Sequence, residues 1–201
     1  MKTCYSIKPV CLFCTLTVSV ISSGATSAGE IDIEQGGQRG SVLLQVSPQT
    51  PRYDVELRQS GIENKLDVGV SNAVDALIHQ HGSFGLIDLE LNGRNDVVII
   101  DQAGSSNTLV GSMSGQSNNT RVDQNGRDNN IDFGIGGRSN NLDMHQGGSN
   151  NTLSLDHSTN NSQLTLRQSG HSNHMRIDHS SSNIGLNISQ DGSSGSVVVT
   201  D

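Results

Sequence analysis

The glutamines set the frame. Gln80, Gln102, Gln124, Gln146, Gln168 and Gln190 are each 22 residues apart, and midway between them and after the last lie Leu91, Met113, Ile135, His157, His179 and Asp201. From residue 80 to residue 201 the chain takes eleven steps of eleven without a slip. Self-similarity at a fixed short period is the signature of a structure built by stacking like units, and it constrains the fold more than any single residue does.

Other positions keep the same step. Two residues after each marker comes Gly82, Gly93, Gly104, Gly115, Gly126, Gly137, Gly148, Gly170 or Gly192, with Thr159 and Ser181 in two places. Five residues after it come Asn107, Asn118, Asn129, Asn140, Asn151 and Asn173, while Gly85, Asp96, Ser162, Ile184 and Gly195 hold the remaining corners. Two and four residues before each marker sit apolar pairs such as Val98/Ile100, Ile131/Phe133 and Leu164/Leu166; Leu109/Gly111 is the weak pair. The residues between are mostly polar. Period-2 alternation over about five residues is the mark of a half-buried strand. The Gly-, Asn- and Ser-rich residues that follow are turn formers.

Each unit of eleven therefore reads as strand plus turn, and two units make one flattened coil. Stacking such coils ~4.8 Å apart pairs the backbone groups of one coil with those of the next. The predicted fold is an all-β, two-sided β-solenoid of about 22-residue coils, amyloid-like, with six to seven coils. Before residue 80 the phase loosens. Gln59 and Val70 fit, Gln35 and Gln45 fit loosely, and Pro48 and Pro51 interrupt the register. Proline cannot donate to a ladder.

Composition agrees. Aromatic residues make up 2% of the chain and hydrophobic residues 32%, too few for an ordinary globular core, and there is no tryptophan. Such bias fits either disorder or a repetitive β structure, and a strict apolar period decides for the second.

The first 28 residues read as a secretory signal peptide. Lys2 and Lys8 charge its start, Val10 to Ile21 is apolar but short for a membrane span, and Thr26-Ser27-Ala28 is a small-residue cleavage site before Gly29. Residues 29–54 form an N-terminal segment and residues 55–201 the repeat domain. Cys4, Cys11 and Cys14 all lie in the leader, so the mature chain has no cysteine. A chain exported to an oxidising place without disulfides relies on repetition or assembly for stability. The net charge of −8 becomes −10 once Lys2 and Lys8 leave. A polyanion is a poor nucleic-acid binder.

Stacking places each residue over the one 22 further on. The inward glutamines would then form an axial amide ladder. The asparagines would do the same or cap the turns, and Gly104, Gly115, Gly126, Gly137, Gly148 and Gly170 would supply the positive φ of the corners. This is the chemistry of a stack that can extend. The residues from Ser196 to Asp201 are an apolar strand with no cap after it, and an open edge of that kind templates another chain.

The array resembles the curlin family, the subunits of bacterial extracellular curli amyloid. Gln102 with Asn107, Gln124 with Asn129, Gln146 with Asn151 and Gln168 with Asn173 match that family's Gln-x4-Asn core over roughly residues 55–201. The chain departs where the family places a second Gln, because Met113, Ile135, His157 and His179 stand there. Of the leading serines only Ser162 is kept, with Asp96, Asn118 and Asn140 at the others. The resemblance implies a secreted subunit that passes through the periplasm and an outer-membrane secretion channel. It would polymerise with itself and other curlin-type subunits into fibres at the cell surface, for adhesion and biofilm matrix. Residues 29–54 would occupy the place of the family's export segment.

Other chemistries fit less well. His157 and His179 would stack on the inner face. A metal needs more ligands than two, so they read as neutral imidazoles filling a Gln slot and hydrogen-bonding along the ladder. Asp88, Asp101, Asp123, Asp132, Asp143, Asp156 and Asp178 would face outward from mid-strand rather than from turns. That suits charges that resist lateral aggregation better than it suits calcium. No catalytic constellation stands apart from the repeat, so neither an enzyme nor a cofactor is expected. The alternative reading is a monomeric secreted solenoid of adhesin or ice-binding type. An ice-binding face would want a regular outward row of Thr, and the outward rows here are irregular.

Overall fold

A computed structural model describes residues 4–20, 28–47 and 52–201. The strands are β1 (Cys4–Leu12), β2 (Thr15–Val20), β3 (Ala28–Gln38), β4 (Ser41–Ser47), β5 (Arg52–Ile62), β6 (Lys65–Ser71), β7 (Val74–Ser83), β8 (Leu86–Arg94) and β9 (Asp96–Ser105). They continue as β10 (Thr108–Gln116), β11 (Asn119–Arg127), β12 (Asn130–Arg138), β13 (Asn141–Ser149), β14 (Thr152–Asn160), β15 (Gln163–Gln168), β16 (His174–His179), β17 (Gly185–Gln190) and β18 (Ser196–Thr200).

The odd-numbered strands form one parallel sheet and the even-numbered strands another, each of nine strands in chain order. Successive strands alternate between sheets, so one coil is an odd strand, a corner, an even strand and a second corner. This is the predicted all-β solenoid. The register is the predicted one too: Gln102 pairs with Gln124, Gln124 with Gln146, and Ile135 with His157.

Alternation sets the core. Ile131, Phe133, Leu142, Met144, Leu153 and Leu155 are buried between the two sheets, as are Thr120, Val122 and Gln124, and the residues between them point outward. The weak pair is explained by its neighbour. A Cβ placed on Gly111 would lie 2.3 Å from the ring of Phe133 on the next coil. The missing side chain is the space that the ring fills.

Each regular corner needs two left-handed residues. The predicted turn glycines supply one, with φ between +93° at Gly137 and +119° at Gly115. The second lies four residues after the marker and is not glycine. Ser106, Ser117, Asp128, Ser139, Asn150, Asn161 and Ser172 hold it at φ near +55°. Asn and Asp tolerate this region best among side-chain-bearing residues.

The solenoid is longer than the sequence suggested. Residues 29–54 were expected to lie outside the repeat, yet β3 and β4 form a coil in register with β5 and β6. Ile31, Ile33 and Gln35, then Val42, Leu44 and Val46, alternate inward as in later coils. Gln45 is not on the inner row: it pairs with Gly69 and faces solvent, while Val46 pairs with Val70. Two offsets hid this coil. Gln35 and Gln59 are 24 apart and Gln59 and Gln80 are 21 apart. Pro48 and Pro51 lie outside the described residues.

Strands β1 and β2, in the segment expected to be a signal peptide, pair in parallel with β3 and β4 as the outermost coil. The Val- and Thr-rich β2, TLTVSV, suits a strand as readily as a leader. Cys14 is disulfide-bonded. Of the expected cleavage site, Thr26 and Ser27 lie outside the described residues, and β3 begins at Ala28.

Candidate functional site: the axial ladders

The first ladder is the glutamine column of the odd sheet. It runs from Gln35 through Gln59, Gln80, Gln102, Gln124, Gln146 and Gln168 to Gln190, all buried. Each Nε2 donates to the Oε1 of the next rung at 2.8–3.1 Å. The second hydrogen crosses the coil to a backbone carbonyl, as from Gln102 to Leu86, Gln124 to Thr108 and Gln146 to Asn130. The amides are thereby satisfied in a dry interior, where an unpaired amide is costly. The column is also polarised: donors point toward the C-terminal coil and acceptors toward the N-terminal one.

Of the two bond sets expected of the asparagines, ladder or turn cap, they make the second. Asn129 donates Nδ2 to the Asn125 carbonyl of its own turn and to the Gly148 carbonyl of the next coil, each at 3.0 Å. Its Oδ1 accepts the Asn151 backbone N–H. Asn107, Asn151 and Asn173 repeat this on the same corner column. Asn118 and Asn140 repeat it on the other, where Asn140 Nδ2 also donates to Asn118 Oδ1. Each asparagine closes its own corner and stitches it to the next.

Asp96 occupies this position without the means to fill it. It is fully buried, and its Oδ1 accepts the Asn118 N–H at 2.8 Å. Its Oδ2 has no partner and lies 1.4 Å from where a Cβ on Gly93 would sit. An asparagine would place its donor there, toward carbonyl oxygens; a carboxylate has nothing to donate. Burial pushes the Asp96 pKa above the ordinary 3.8, partly offset by the bonds from Asn118. The period marked the position as an exception; the consequence needed the geometry.

The second column runs along the even sheet: Val46, Val70, Leu91, Met113, Ile135, His157 and His179, with Asp201 beyond. The imidazoles of His157 and His179 stack with centroids 5.6 Å apart and planes 15° from parallel. They do not hydrogen-bond to one another as expected, because stacked rings point their nitrogens sideways. His157 Nε2 meets Thr159 Oγ1 at 2.8 Å, and His179 Nδ1 meets Asp201 Oδ2 at 2.7 Å. His157 Nδ1 and His179 Nε2 are buried without partners. Burial, and secondarily the neighbouring His179, lowers the His157 pKa from 6.5 to about 4. The Ser180 N–H first, then a side-chain bond from Ser181, holds the exposed Asp201 carboxyl below 3.8. Thr159, like Ser181, stands where most corners have glycine, and a departure from the glycine column two residues after a histidine is the signal that points to it.

The seven outward aspartates do point away from the core, and Asp101 and Asp123 approach His81 and His145 at 3.7 and 3.5 Å. Such exposed pairs are weak. Among the described residues no group of three or more His, Cys, Asp or Glu is arranged to hold a metal ion. Ser149 Oγ and His171 Nδ1 meet at 2.8 Å on an exposed corner, and no ion pair joins His171 to a carboxylate among the described residues. No family model, curated protein or solved structure matches the chain.

Proposed function

We propose that the chain is a secreted structural subunit that polymerises by continuing its own coil stack, into extracellular fibres of the curli type its repeat resembles. The observation that carries this reading is the polarised glutamine ladder. Its C-terminal rung, Gln190, accepts from Gln168, and its N-terminal rung, Gln35, donates to Gln59, so the column continues with an amide N–H at one end and an amide carbonyl at the other. A column of this kind is complementary to a copy of itself, head to tail. Identical amides stacked in register, with a dry core beside them, are the bonding pattern of cross-β assemblies. Coils that cannot bury a core alone gain stability from each added neighbour.

Export agrees with the leader-like start. Cleavage before Gly29 removes one residue of β3 and leaves its inward row intact. An outer-membrane channel and other curlin-type subunits are the partners this reading requires, and adhesion and biofilm matrix are the roles. The acidic surface keeps the exported chain soluble until salt screens it.

Incubation of the purified mature chain with thioflavin T tests the proposal. Sigmoidal fluorescence with a lag that preformed fibres abolish is expected. A stable monomer over the same period would instead make the chain a solitary solenoid of the adhesin or ice-binding class.

A further inference from the structure

Strand β9 breaks the alternation that its neighbours keep. It contains Val97, Val98, Ile99 and Ile100 in succession. Val98 and Ile100 are fully buried between the sheets, whereas Val97 and Ile99 point outward and stay half-buried. Leu77 of β7 lies beside Ile99 in register, so the three form one aliphatic patch. Apart from Ile62 at the end of β5 and Gly147 in β13, the outward residues of β5, β11, β13 and β15 are polar or charged. A strand that is apolar on both faces belongs where both faces are covered, and here only the inner face is.

The chemistry of the rim says what would cover it. A shallow groove of about 220 Å³ is lined by Asp54, Glu56, Asp75, Leu77, Val97 and Ile99. Arg58 holds Glu56 at 2.6 Å. Asp54 and Asp75 have no ion-pair partner among the described residues. Burial first, then the charges of Asp75 and Glu56, hold the Asp54 pKa above its usual 3.8.

We propose that this outer face of β7 and β9 is a docking surface for a cationic amphipathic segment of another protein, one that presents aliphatic side chains beside lysine or arginine. The aliphatic side chains would cover Leu77, Val97 and Ile99, and the cations would meet Asp54 and Asp75. Arg121 of β11 lies beside Ile99 on the far side of the patch, whereas Asp54 and Asp75 edge the near side; a second copy laid on in the same register would set these carboxylates against themselves. The surface lies on the flank of the stack, away from its ends, so docking here is independent of polymerisation.

The test uses the soluble full chain before any assembly and three labelled peptides, followed by fluorescence anisotropy. One peptide is built of Leu and Lys, one of Leu and Glu, and one of Ser and Lys. The Leu/Lys peptide should bind at least about tenfold more tightly than either control. Leu77→Ser with Ile99→Ser should weaken it by about tenfold or more, since one buried aliphatic side chain is worth that much. Asp54→Asn with Asp75→Asn should weaken it comparably. All four side chains point outward, so the circular dichroism of both variants should match that of the parent. Equal binding of the Ser/Lys peptide, or unchanged affinity in either double variant, overturns the proposal. So does a dimer of the chain that Leu77→Ser with Ile99→Ser dissolves, because the occupant is then a second copy.

Discussion

Asp96 stands where the corner asks for an amide. A buried oxygen left unpaired costs about 1–3 kcal/mol, so Asp96→Asn should raise stability at neutral pH by an amount in that range. The sign of the pH effect follows from the raised pKa. The folded state holds the proton more tightly than the unfolded chain, so the stabilisation is fully present below 3.8 and is lost as pH rises through the raised value. Chemical unfolding of the monomer between pH 3 and 7 should show the stability gain of Asp96→Asn over the parent growing as pH rises. His157 has the opposite sign. Its folded pKa of about 4 lies below the usual 6.5, so its stabilisation is present above 6.5 and lost as pH falls toward 4. The loss amounts to on the order of 3 kcal/mol. Assembly should therefore slow at pH 5, and His157→Gln with His179→Gln should remove that slowing; persistence of the slowing in the double variant would sink the idea. The rungs themselves were legible at this scale because they repeat. Asp96 and Thr159 stood out only as departures from their columns; their bonding, and the sideways bonding of the two imidazoles, were not legible, because each depends on which atom of a side chain faces which partner.

One element, the corner, is built twice per coil from two left-handed residues and one asparagine. Gly126 has φ +117°, and a Cβ on it would come within 2.0 Å of the Gly148 carbonyl oxygen. Gly126→Ala should therefore cost more than about 2 kcal/mol. Gly147 in β13 has an ordinary φ, and the nearest heavy atom to a Cβ there is at 3.8 Å. Gly147→Ala should stay within about 0.5 kcal/mol. Equal destabilisation by the two changes, measured by urea unfolding, would refute the corner account. The strand pair β10 and β12 offers a second check. Gly111→Ala should destabilise by roughly 1–3 kcal/mol through contact with Phe133, and much less in a Phe133→Leu background. Strands and glycine corners were legible from period and composition. The second left-handed position was not, because Ser, Asn and Asp there look like ordinary turn residues. The Gly111–Phe133 exchange was hidden because it joins a departure from the pattern to a regular apolar position on the next coil.

For the whole molecule, one strict spacing sufficed to give the two-sheet parallel solenoid from residue 80 onward. The first coils escaped notice because spacings of 24 and 21 residues replace 22 there. Gln35, Gln59 and Gln80 nonetheless stay in column. A stack that tolerates such insertions is held by its inner rows rather than by loop length, which is why copies of it could continue the same rows. X-ray diffraction from an aligned preparation of the incubated mature chain tests that continuation directly. The account predicts a sharp reflection at ~4.8 Å along the fibre axis, since coils stack in that direction. A chain that remains monomeric, or fibres whose 4.8 Å spacing lies across the axis, would contradict it.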